Sequence, residues 1–158
     1  MSERAREALA KLDAKLADLE RVARETSDDD WRARCPAEGW PVGLVAYHIA
    51  RGFQRQADFV EAARDGTGPH RFDWGATHAL NANVAAENAS PTPNDVVVLG
   101  RSSVERMRAA LESMPDEVLA RIAFVYENGS RDILWVVGSL AVRHARGHLE
   151  SIAATLGR

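Results

Sequence analysis

Apolar residues recur along most of this chain at three- and four-residue steps, with charged positions between them. Ala5, Leu9, Leu12, Leu16, Leu19 and Ala23 follow this rule and predict an amphipathic helix from about Ser2 to Thr26. The polar stretch SDDDWRARCPAEGWP then breaks the pattern with Pro36, Gly39 and Pro41, and Pro41 suits the first turn of a second helix, predicted to about Arg64. DGTGPHRFDWG reads as a loop, and THALNANVAAENAS as a shorter helix stopped by SPTP. Thr92, Pro93 and Asp95 have the spacing of a helix-starting capping box. The apolar line continues through Val97, Val104, Met107 and Leu111 and ends near Pro115. IAFVY is short, apolar and partly β-branched, so that helical and extended conformations are both open there. After the turn signal Asn128-Gly129, Ser130 is read as the N-cap of a last helix that runs without a proline almost to the end. No strand alternation is sustained. Four long helical patterns separated by loops predict an all-α fold, a four-helix bundle with short extra helical segments.

The last helix carries the chemistry. On a regular helical wheel its apolar line runs Ile133, Val137, Leu140, Ala141, His144, His148, Ile152, so two histidines four residues apart share one inward face. At that spacing their Cβ atoms are roughly 5–6 Å apart, and both imidazoles reach one ion. In the second helix His48 lies at the flank of the apolar face made by Val42, Val45, Ile49, Phe53 and Val60. If those two helices are neighbours, His48, His144 and His148 supply three nitrogen ligands and leave a position for water or substrate. The competing reading is a set of core-edge histidines satisfied by backbone groups or water. His70 is expected to be solvated in its loop. His78 has no partner at metal-ligand spacing, and Arg143 and Arg146 point away from the core on the wheel.

Composition removes several alternatives. With 158 residues, 46% hydrophobic and 27% charged, the chain suits one compact domain over residues 1–158. Twenty basic and 23 acidic residues give a net charge of -3, without the cationic surplus of a general nucleic-acid binder. The single Cys35 forms no intramolecular disulfide, and the first residues lack an apolar signal core, so a reducing cytoplasm is expected. The apolar run from Ile133 to Val142 is half of the ~20 residues that a membrane helix needs. HARGH lacks the glutamate of the HExxH metalloproteases, no Glu-x-x-His of a carboxylate-bridged di-iron bundle occurs, and no phosphate-cradling glycine motif is present.

With Trp40 and His48 in GWPVGLVAYHIA, an asparagine-containing stretch around Asn81 and Asn83, and His144 and His148 in RHARGHLESI, the chain resembles the DinB-like superfamily over nearly its whole length. That group includes the N-terminal domain of mycothiol-dependent maleylpyruvate isomerase. The resemblance implies an up-down-down-up bundle, commonly a homodimer, with a divalent ion, often zinc or nickel, on the positions of His48, His144 and His148. It further implies chemistry of the thiol S-transferase or isomerase type, in which a low-molecular-weight thiol binds at the open metal position and a small-molecule substrate sits beside it. Hydrolysis by metal-bound water is the neighbouring possibility. The isomerase branch often carries a glutamate where this chain has His144. The alternative function is a non-catalytic bundle that binds a metal or a small molecule.

Overall fold

The computed structural model of the protein describes residues 1–158. Four long helices form the body, as the apolar spacing predicts. Helix α1 spans Glu3–Glu25 and is opened by Ser2, whose hydroxyl accepts from the Ala5 amide. After the single turn α2 (Asp28–Arg32) a two-residue ribbon pairs β1 (Arg34–Cys35) with β2 (Trp40–Pro41). Helix α3 (Val42–Asp65) follows at once and ends on Gly66, in the left-handed region at φ 77°. The short strand β3 (His70–Arg71) leads into α4 (Trp74–Glu87), and α5 covers Pro93–Glu112 with the expected Thr92/Asp95 capping box in place. The last long helix is composite: α7 (Ile133–Trp135) passes through a π-helical stretch, Val136–Ala141, into α8 (Val142–Thr155).

Helix α5 and the last helix each pack against both α1 and α3, so the four helices enclose one contiguous cluster of 31 buried residues. The apolar face assigned to α3 forms the centre of that core, with Val42, Val45, Ile49, Phe53 and Val60 fully buried. Ion pairs stitch the outside: Arg101 to Glu20 joins α5 to α1, Arg106 to Asp58 and Glu61 joins it to α3, and Arg108 reaches Asp13. No helix is long and apolar enough to cross a membrane.

Three local expectations change. The open stretch after Pro115 resolves into one helical turn, α6 (Asp116–Leu119), and a strand, β4 (Ile122–Tyr126). The strand wins there because β4 pairs on both sides, parallel to β3 and antiparallel to β5 (Gly129–Asp132), so its backbone groups are satisfied without a helix. Ser130 is accordingly a strand residue. The last helix is capped two residues later by Asp132, whose carboxylate accepts from the Trp135 amide. Finally, a regular wheel puts Leu140 in the core stripe, whereas the π-helical stretch changes the phase. Val136 and Ala145 take core positions, and Leu140 becomes half-buried and lines a cavity. Gly138, in the middle of that stretch, lies so close to α1 that a Cβ there would be 3.0 Å from the Ala8 methyl.

Candidate metal centre

Helices α3 and α8 are neighbours, and the three histidines singled out in the sequence meet between them. One nitrogen from each of His48, His144 and His148 lies within 4.8 Å of the other two. The Nε2 atoms of His144 and His48 are 3.0 Å apart. Two imidazole nitrogens at this distance share either one proton or one cation, because two bare lone pairs repel. The rings are held from several sides: Trp40 meets His48 edge-on with centroids 5.5 Å apart, and the His144 ring abuts α3 at Gly52 through its Cε1 and Nδ1 atoms. A Cβ at position 52 would be 2.5 Å from His144 Cε1, so only glycine leaves room for that ring. In this way Gly52, one turn after His48, is part of the site.

Glu38 was not among the sequence-derived candidates. It comes from the turn between β1 and β2, and its Oε1 is 2.8 Å from His148 Nδ1, while its Oε2 accepts from Ser151 Oγ at 2.6 Å. Burial works against ionising Glu38, but the hydrogen bonds from Ser151 and His148 outweigh it and hold the carboxyl below its ordinary pKa. With Glu38 ionised, His148 donates to it from Nδ1, which leaves Nε2 as the ring nitrogen not engaged by the carboxylate. This carboxylate–histidine arrangement orients metal-binding imidazoles in many sites.

Electrostatics keep the other two rings neutral. Burial, reinforced by His148, lowers the pKa of His48 to about 4, and burial, reinforced by His48 and His148, lowers that of His144 to about 3. Neutral imidazole is the form that ligates a metal. His144 Nδ1, on the side of the ring that faces Gly52, is buried and has no hydrogen-bond partner. The donor set, three nitrogens with a carboxylate behind one of them, therefore fits a borderline divalent ion such as zinc or nickel.

The three histidines lie in the wall of a cavity of about 1240 Å³. Another part of its wall is aromatic. Phe59 and His70 stack with centroids 4.0 Å apart, and Phe124, Tyr126 and Trp135 form a continuous cluster beside them. His70 is thus half-buried in a short strand, not solvated, because its parallel pairing with β4 draws the loop onto the bundle. His78 is exposed at the rim and stacks on Trp74. Arg143 also departs from the wheel reading: its guanidinium lies over Trp135 at 5.4 Å and lines the cavity, whereas Arg146 stays outside near Glu150. Asn81 lines the cavity and Asn83 is exposed. Cys35 is fully buried and serves packing.

No curated protein and no solved structure matches the chain in comparisons of its sequence and fold. Against protein families the outcome is different: the mycothiol maleylpyruvate isomerase N-terminal domain matches residues 5–148, which take in α3 and α5 whole, most of α1, the first part of α8 and all three histidines. The chain belongs to that family and, through it, to the DinB-like superfamily.

Proposed function

We propose that the protein is a divalent-metal-dependent enzyme of the thiol S-transferase or isomerase type, with His48, His144 and His148 as the metal ligands. The observation that carries this reading is the convergence of three imidazoles, one of them oriented by Glu38, on a cavity roomy enough for two small molecules. Family membership supports the thiol. A bound zinc or nickel ion supplies the positive charge that holds a low-molecular-weight thiol as its thiolate near neutral pH.

The chain's own residues do the rest. Glu38 fixes the tautomer and aim of His148, and Gly52 and Trp40 fix the rings of His144 and His48. These restraints set the ligand geometry before any substrate arrives, and such preorganisation lowers the cost of bringing two reactants together. The aromatic part of the cavity wall provides an apolar face for the second reactant. The test is turnover: protein loaded with zinc or nickel is given mycothiol, bacillithiol or glutathione with a panel of small electrophiles. Thiol consumption that requires both the metal and His144 is the expected result. Stoichiometric metal with no turnover for any thiol or electrophile would leave a non-catalytic metal-binding bundle instead.

A further inference from the structure

Away from the histidines, the same cavity contains cationic groups that the metal reading does not use. Arg51 and Arg55 are four residues apart on α3, on the same side of the helix, and both line the cavity. Arg55 makes no ion pair or hydrogen bond within the protein. Asp58, three residues on, is already taken by Arg106 at 2.7 Å. The guanidinium of Arg55 rests 5.7 Å above the centre of the Phe59 ring, on the ring system that His70 stacks against. Arg51 bonds Gln54 through one terminal nitrogen, but its Nε is buried and unpartnered.

Two half-buried guanidiniums side by side repel each other and lose solvation, so an internal anion would normally accompany them. None is available. Of the three acidic side chains in the cavity wall, Glu38 is engaged by His148 and Ser151, Asp73 caps α4 by accepting from the Ala76 amide, and Glu127 is exposed at the rim. A second observation points the same way. Five buried side-chain polar atoms in the protein lack a partner, and outside the His48–His144–His148 cluster two of them, Arg51 Nε and His70 Nε2, are nitrogens of residues that line this one cavity and can donate to an anion. Buried polar groups are otherwise almost always satisfied, so such a concentration marks a place where a polar ligand completes the bonding.

We propose that Arg51 and Arg55, beside the Phe59–His70 stack, form a metal-independent subsite for the carboxylate of an aromatic acid. The guanidinium of Arg55 offers a planar fork that matches a carboxylate, and the adjoining rings offer a flat apolar bed for the body of the same molecule. This proposal names the second reactant of the site described above and so rests on the cavity being functional, but not on the metal.

The test uses 2-naphthoate and its neutral isostere 2-naphthamide, titrated into metal-free protein and followed by quenching of tryptophan fluorescence, since Trp40, Trp74 and Trp135 all line the cavity. The expected result is that naphthoate binds at least tenfold more tightly than naphthamide, and that Arg55→Gln and Arg51→Gln each remove most of that preference while leaving naphthamide binding unchanged. The comparison of acid with amide on unaltered protein stands even if a variant fails to fold. Equal affinity for acid and amide overturns the proposal, and so does a preference that survives both substitutions. A preference that arises only after zinc is added would assign the anion to the metal and also overturn it. Acid-selective binding without metal, together with absence of thiol turnover, would leave this subsite standing and remove the enzyme reading.

Discussion

Glu38 shows how a single residue outside the proposed ligand set can govern what those ligands do. Its carboxylate, 2.8 Å from His148 Nδ1, selects one tautomer of a ring that would otherwise divide between two. Replacement by glutamine keeps the size and removes the charge. Because orienting partners of this kind are typically worth 10- to 100-fold in metal affinity, Glu38→Gln is expected to weaken zinc binding by about 10–100-fold with little change in helical content, as competition with a chromophoric chelator will show. His48, His144 and His148 were all legible in the sequence, because each lies at or inside an apolar stripe where an imidazole is costly without a purpose. Glu38 was not, since it reaches His148 across 110 positions from a turn whose path depends on the finished fold. Arg55 was equally silent: an arginine in an amphipathic helix reads as solvated surface, and only the finished structure shows it half-buried in the cavity wall.

The helices were legible because their local signals agree with their packing. Thr92, Pro93 and Asp95 state the start of α5, and the structure closes the capping box with the Thr92 amide donating to Asp95 at 2.7 Å and the Asp95 amide donating to the Thr92 hydroxyl at 3.1 Å. Thr92→Ala removes one half of it and is expected to cost about 1 kcal/mol, a fall in Tm of roughly 2–4 °C by thermal denaturation, while metal content stays unchanged because α5 contributes no ligand. The strands were not legible for a physical reason. IAFVY satisfies its backbone only by pairing with His70–Arg71 on one side and Gly129–Asp132 on the other, and neither partner carries strand periodicity of its own. The π-helical stretch was hidden in the same way. It interrupts an apolar run with no proline to announce it, and its result is seen in where Leu140 and Val136 end up.

At the scale of the whole molecule, function and stability pull against each other at the histidine cluster. In the metal-free protein His48 and His144 have pKa values of about 4 and about 3, below the ordinary 6.5, so the unfolded chain binds more protons than the folded one as pH falls through 6.5. Stability is therefore lost on acidification from about pH 6.5 toward 4.5. The carboxylates held low by partners, including Asp18, Glu20 and Asp95, titrate below that window and leave it to the histidines. Thermal melts of metal-free protein are expected to show Tm falling on the order of 10 °C over that range, with a flatter profile for His144→Ala.

A bound metal would offset this tendency and give the cluster its reason to exist, so metal content is the direct measurement. Tag-free protein, His48→Ala and His144→Ala, purified identically and assayed by plasma mass spectrometry, are expected to give close to one divalent ion per chain in the unaltered protein and almost none in either variant. Absence of metal from the unaltered protein after incubation with zinc, nickel and manganese, or equal metal in all three proteins, would contradict the three-histidine centre.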